Sequence, residues 1–255
     1  MARSSLRFAD AQEQATALCG WNQDYLQLSA GAFAGELAQV SGHGIKLFVE
    51  RVQQSVLQTG QLPAREHTML GLELQLPDHV ELPLQAGALT HTVRPQAKIK
   101  AYVMELYQSA RRDPALLSNP AVVASVSDFL LDSLLRAPNL PGTLSGTANT
   151  HWALVQRCVA LVNASQDSAP TVTQLCQEMG VSRRTLQNAF LRVLDMSPLA
   201  YVKAVRLKQA REALKRSRSV TEAATACGFW HFGHFAHDYL TLFGERPSDT
   251  LRRQN

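Results

Sequence analysis

Two stretches in the last third of the chain decide its fold: "VTQLCQEMGVSRRTLQNAFLRVL" (Val172–Leu194) and "VTEAATACGFWHFGHFAHDYLTLF" (Val220–Phe243). Val172–Gly180 and Val220–Gly228 align at an offset of 48, sharing Val-Thr at the start and Gly at the end. One extra residue then enters the second copy and the offset becomes 49. Ser182 faces His231, Leu186 faces Phe235, Phe190 faces Tyr239, Leu194 faces Phe243 and Pro198 faces Pro247. Few identities survive, but the apolar register does, which marks one supersecondary unit used twice.

Each copy reads as helix, tight turn, helix. In the first, Thr171 or Thr173 can cap a short helix through Met179, its side-chain oxygen accepting from an orphan backbone N–H. Gly180 can take the left-handed conformation that ends a helix, and Val181 fills the angle. Ser182 then caps a second helix whose inner face carries Leu186, Phe190, Val193 and Leu194. Two helices joined by a short glycine turn form the helix-turn-helix pattern. Between the copies, "SPLAYVKAVRLKQAREALKRS" reads as a connecting helix, with Pro198 at its first turn after Ser197. Leu207, Ala210 and Leu214 make its apolar stripe, and Lys203, Arg206, Lys208, Arg211, Lys215 and Arg216 supply charge. Ahead of both copies, "HWALVQRCVALVNAS" predicts a lead-in helix with Trp152, Val155, Val159 and Val162 on one face.

Charge follows the same division. Residues 1–165 hold 12 Lys and Arg against 13 Asp and Glu, whereas residues 166–255 hold 13 against 8. The whole +4 excess therefore lies in the C-terminal third, which suggests a polyanion partner for it; a solvated basic face is the plain alternative. No run of apolar residues approaches the ~20 needed to cross a bilayer, and no apolar segment follows the basic residues of the first eight, so a cytoplasmic protein without a membrane partner is expected. The four cysteines, Cys19, Cys158, Cys176 and Cys227, are too irregularly spaced for a disulfide framework or zinc knuckle, and read as reduced, buried thiols.

With "VSRRTLQNAF", "SPLAYVKAVRLKQAREAL" and above all "ACGFWHFGHFAHDYLTLFGERPSDTLR", the last ~100 residues resemble the DNA-binding domain of the AraC/XylS family of bacterial transcription regulators. The third block carries the family's Gly-Phe, capping position, aromatic-rich second reading helix, Phe-Gly and proline before a final helix. It departs at the cap, where serine is usual and His231 stands, and at Asp238 and Tyr239, where a basic residue and phenylalanine are common. The resemblance implies an all-α domain over 151–255 with helix-turn-helix units at 171–194 and 219–243.

Histidines 231, 234 and 237 raise a separate question. On a helix, every third residue steps by about 60° against the turn, so the rings fan out instead of converging as metal ligands do. Phe229, Phe235, Tyr239, Leu240 and Phe243 are expected on the inner face, with the histidines mostly off it. The reading is a groove-facing surface. In the first unit it comprises Ser182, Arg183, Arg184, Gln187 and Asn188, where arginine pairs bidentately with guanine and Gln or Asn with adenine. In the second it comprises His231, Phe232, Gly233, His234 and His237. A merely exposed role is the alternative for each single member. Two such helices on one rigid connector imply adjacent major grooves of double-stranded DNA and a split site with elements about 10 bp apart.

The first 136 residues read differently. "YLQLS", "GELAQV", "IKLFVERV", "HTMLGLELQLP", "VELPL" and "IKAYVMEL" alternate or run apolar in short bursts, which predicts an all-β sandwich or barrel. "DPALLSNPAVVASVSDFLLDSLLRAP" follows as one or two helices with Val122, Val126, Phe129, Leu130 and Leu134 on a face, more often plain core than partner surface. Residues 137–150 read as a linker. The family resemblance implies a cupin-like β-barrel with a helical segment over 1–136 that senses a small molecule and dimerises, giving an α+β two-domain chain. "QLSAGAFAGEL" with "IKLFVERVQQSVLQTG" is further similar to the subgroup containing the ethanolamine-utilisation regulator. RNA polymerase becomes a partner if the protein activates. No H-x-H pair, P-loop or G-x-S-x-G occurs, so no catalytic residue, metal or cofactor is expected. The rival readings are a small-molecule enzyme or metal-binding cupin with a DNA-binding appendage, and a constitutive DNA binder whose barrel only dimerises.

Overall fold

The computed structural model describes residues 3–18, 22–41, 46–61, 69–72, 90–93, 97–135, 146–165 and 169–253. The chain divides into two compact units: Met1–Asp24, Ala34–Gln53 and Gln58–Thr143 form the first, and Tyr25–Phe33, Gln54–Leu57 and Leu144–Asn255 the second.

The first unit is built on strands β1 (Arg3–Phe8), β3 (Gly35–Ser41) and β4 (Lys46–Val52), paired antiparallel in the order β1-β3-β4. Strand β2 (Asn22–Gln27) pairs with β5 (Val56–Gln61), and the short β6 (Met69–Leu72) runs parallel to β7 (Thr90–Val93). Side chains alternate across a strand, so Ala38 and Val40, opposite Val49 and Leu47, share one face of the three-stranded sheet. That face is covered by α2 (Ala97–Arg112) and the short helical turn Pro114–Ser118, which bury Leu106, Tyr107, Ala110 and Leu117, and α3 (Pro120–Leu135) packs on that turn and adds Val126 to the same core. Phe129 stacks on Tyr102 with ring centroids 4.0 Å apart. Helix α1 (Ala11–Ala17), capped by Asp10, has its buried Gln14 bonded to Glu50 of β4 (2.6 Å).

Two expectations change here. "IKAYVMEL" is not a strand but part of α2. Its apolar residues, Ile99, Tyr102, Val103, Leu106 and Tyr107, recur at i, i+3, i+4, i+7 and i+8, and the 3.6-residue period outweighs the short apolar bursts within it. The described strands form three small sheets, and a closed barrel is not seen among the described residues. "VELPL" and most of the 137–150 stretch lie outside them, while Gly146–Thr150 open a helix.

The second unit is helical apart from residues 25–33 and 54–57: α4 (Gly146–Ala164), α5 (Val172–Met179), α6 (Arg183–Leu194), α7 (Pro198–Leu214), α8 (Val220–Ala226), α9 (Phe232–Phe243) and α10 (Pro247–Arg252). Helix α4 packs on α5 and α6, burying Val155, Cys158, Val159 and Val162 with Leu175, Leu186 and Phe190. Helix α7 is the shared strut, touching α5 and α6 as well as α8, α9 and α10. Tyr201 of α7 meets Phe190 at 5.5 Å between ring centroids, and Leu207, Ala210 and Leu214 are buried. Arg211, one of the charges along this helix, is buried: its guanidinium lies 4.5 Å from the Phe243 ring centroid, and it pairs with Glu245 at 3.1 Å. Among the described residues no helix is long and apolar enough to cross a membrane.

Candidate nucleic-acid interface

Local chemistry fixes both helical pairs. Thr171 caps α5 through a reciprocal box: the Gln174 N–H donates to its hydroxyl (3.2 Å) and the Thr171 N–H donates to Gln174 Oε1 (2.8 Å). Gly180 stops the helix at φ 65°. The N–H groups of Gly180 and Val181 donate to the carbonyls of Gln177 and Cys176, so the orphan carbonyls of the last turn are satisfied. Ser182 then caps α6, accepting from the Thr185 N–H at 3.1 Å.

The second pair repeats this geometry. Ser219 caps α8 by accepting from the Glu222 N–H (3.1 Å). Gly228 stands at φ 77°, and the N–H groups of Gly228 and Phe229 donate to Thr225 and Ala224. Helices α6 and α9 are both 12 residues long. Both end on a left-handed residue, Asp195 (φ 52°) and Gly244 (φ 70°). The copies differ at the cap of the second helix: His231 makes no side-chain cap bond, so the first turn of α9 lacks the hydroxyl that serves α6.

The outer faces hold the expected side chains. Arg183, Arg184, Gln187 and Asn188 are all exposed, while Leu186, Ala189 and Phe190 turn inward. Ser182 is exposed too, but its hydroxyl is engaged with the Thr185 N–H and hydroxyl. On α9, Phe232, Gly233, His234 and His237 are exposed, as is His231 before it. A Cβ added at Gly233 would meet nothing within 4 Å, so the surface is open there. His231 and His234 stand edge to face, 6.3 Å between ring centroids. Among the described residues no three His, Cys, Asp or Glu side chains gather as a metal would require. Arg and Gln forks on one helix and imidazoles on the other give two hydrogen-bonding faces of different character, each starting at a helix N-terminus.

Behind the second face, Phe235 meets Phe229 at 4.9 Å and Tyr239 at 5.6 Å between ring centroids, and Tyr239 meets Phe243 at 4.7 Å. Leu240, expected on this inner face, is 41% exposed; Leu242 is buried instead. At 100° per residue, Leu240 lies about 140° round from Phe235 and Leu242 about 20°. Tyr239, at the position where phenylalanine is common, uses its hydroxyl. Thr250 donates to Glu245 Oε1 (2.8 Å), so the Tyr239 hydroxyl is the donor to Thr250 at 2.8 Å. Glu245 also pairs with Arg211 and Arg253, tying α9, α10 and α7 together. Asp238 pairs with Lys203 of α7 (2.9 Å), which neutralises the carboxylate beside the outer face.

One anchor carried no signal in the sequence. Gln27, only 3% exposed, places its Nε2 2.6 Å from the Leu242 carbonyl and 2.7 Å from that of Gly31. The Gly31 N–H donates to the Thr241 carbonyl (3.1 Å). Two of the last four carbonyls of α9, which a helix cannot satisfy internally, are thus taken by residues more than 200 positions away in the chain. Gly244 seals this contact, since a Cβ there would come within 2.5 Å of the Ala32 nitrogen. Where α4 packs on the first pair, burial pushes the Cys158 thiol up to about 11; nearby Arg157 opposes the shift and Cys176 adds to it. Burial also raises the Cys227 thiol.

Known proteins share this region. A helix-turn-helix domain family matches residues 175–253. A probable thc operon regulatory protein of Rhodococcus erythropolis is 33% identical over 155 residues, covering 54% of this chain and 43% of its own. The transcriptional regulator GbdR of Pseudomonas aeruginosa is 36% identical over 106 residues, 41% of this chain and 29% of its own. The chain thus spans less than half the length of these curated relatives. A solved structure of a probable AraC family transcriptional regulator from Rhodopseudomonas palustris is 38% identical, covering 40% of this chain and 98% of its own, with a TM-score of 0.38.

Proposed function

Because its helix-turn-helix region makes the chain a member of the AraC/XylS family, we propose that the protein is a sequence-specific DNA-binding transcription regulator that reads a split site through α6 and α9. The observation that carries this reading is the pair of equal 12-residue helices, each presenting an exposed polar face from its N-terminal turns. In such helices the N-terminal turns meet base edges. Arg183 and Arg184 suit guanine, and Gln187 and Asn188 suit adenine. His234 and His237 donate to guanine or phosphate, Phe232 meets a thymine methyl, and Gly233 lets the backbone approach. Ser182, which caps α6, and the exposed His231 at the start of α9 belong to the same two faces. The strut α7 fixes the spacing, so the two elements fall about 10 bp apart on one face of the duplex.

The N-terminal region, cupin-like in this reading, binds a small effector and pairs two copies of the chain. The protein works in the cytoplasm, binds DNA rather than catalysing a reaction, and contacts RNA polymerase where it activates. The XylDLEGF operon transcriptional activator of Pseudomonas putida, 33% identical over 102 residues, lends support to activation.

Selection of genomic fragments by the purified protein at two salt concentrations tests the reading. Enrichment of a split motif is expected, with overall affinity falling steeply as salt rises because phosphate contacts release counterions. Binding that fades in salt with no enriched motif would refute it.

A further inference from the structure

The two helical pairs differ by one residue, and their hydrogen bonds identify it. Val181 donates to Cys176 and Phe229 donates to Ala224, so Phe229 is the counterpart of Val181. Leu186 donates to Ser182 and Phe235 donates to His231, so His231 is the counterpart of Ser182. The inserted residue is therefore Trp230. Phe229 does the angle-filling work of Val181, packing on Phe235. Trp230 packs no core: it is 72% exposed, and Phe232 nearby is 42% exposed. A tryptophan left in water at that position adds no core packing, yet it directly precedes the cap of the second reading helix, whose cap residue makes no side-chain cap bond.

We infer that Trp230 is an additional DNA contact, in which its ring lies on a deoxyribose and its indole N–H donates to a phosphate at the edge of the groove that α9 enters. Tryptophan combines a broad apolar face with one donor at the rim, which matches a sugar–phosphate edge, and the excess positive charge of residues 166–255 favours the same partner. The inference rests on the regulator reading. It makes the second half-element different in kind from the first: anchored through a backbone contact that carries no base preference, where α6 relies on arginine and amide forks.

The test uses duplexes recovered by the wild-type protein from a genomic-fragment pool, with affinity measured by fluorescence anisotropy. Trp230→Ala should weaken binding five- to twenty-fold, by the same factor when bases of the second half-element are changed, with an unaltered melting temperature. Trp230→Phe, which keeps a ring but loses the donor, should fall between. Unchanged affinity of Trp230→Ala would overturn this inference alone, as would a loss confined to one base sequence or a loss seen only in promoter activation, which would place a protein partner there. Recovery of no motif by the wild type would overturn the regulator reading and this inference with it.

Discussion

Phe235→Ala and Leu240→Ala together ask whether the inner face of α9 is where the structure puts it. Phe235 is 1% exposed and its ring meets those of Phe229 and Tyr239. Removing it loses the transfer energy of the ring and leaves a cavity that the neighbouring rings cannot fill, a cost of roughly 3–5 kcal/mol. Leu240, five residues on, is 41% exposed and should cost less than about 1 kcal/mol. In urea denaturation followed by far-UV circular dichroism, with a slope of about 1–3 kcal/mol per molar urea, the first variant should lower the midpoint of the second unit by at least 1 M and the second should barely move it. Equal losses in the two variants, or a Phe235→Ala protein as stable as wild type, would refute the assignment of faces on which the exposed surface of α9 depends.

Other perturbations separate the remaining claims. Arg184→Ala or Gln187→Ala should relax base preference at one half-element by about 1–3 kcal/mol; measured on single-base variants of a selected duplex, equal weakening on all of them would make the residue a phosphate contact. Gly244→Ala should destabilise more than Gly180→Ala: both residues stand at positive φ, but only at Gly244 does the added Cβ strike backbone, at Ala32. Thermal melts in which the two variants match would contradict the packing of residues 25–33 on the end of α9. The Cys158 thiol, raised from its ordinary 9.0 to about 11, stays protonated in the folded chain over a pH range in which the unfolded chain ionises. Stability should therefore fall as pH rises from about 9 to about 11, and Cys158→Ala, followed through the same denaturation at each pH, should have a shallower slope than wild type, the raised Cys227 thiol supplying part of what is left.

The helical pairs were legible because they are local. The glycines at 180 and 228, the caps at Thr171 and Ser182 and the inward residues from Leu186 to Leu194 lie within a few turns of one another, so turn chemistry and periodicity alone locate them. Leu240 was misplaced because the apolar character of "YLTLF" runs almost unbroken, and only the helix angle separates its exposed member from its buried ones. The neighbouring sequence does not mark Arg211 as buried, because Glu245 and the Phe243 ring, which make its burial possible, lie 34 and 32 residues away. Gln27 is the extreme case. A buried amide serving the end of a helix 215 residues later follows from tertiary folding, and nothing in the neighbouring sequence requires it. In the first unit, "IKAYVMEL" misled because eight residues of mixed apolar character suit a strand or a helix, and only the continuation through Tyr107 and Ala110 settles the period.

The measurement that bears most directly on the central claim is hydroxyl-radical footprinting of the full-length protein on a selected duplex. Two helices held by the strut α7 predict two protected patches per reader, about 10 bp apart on the same face, with loss of the second patch alone when His234 and His237 are replaced by alanine. A single protected patch, or protection spread evenly along the duplex, would contradict the account.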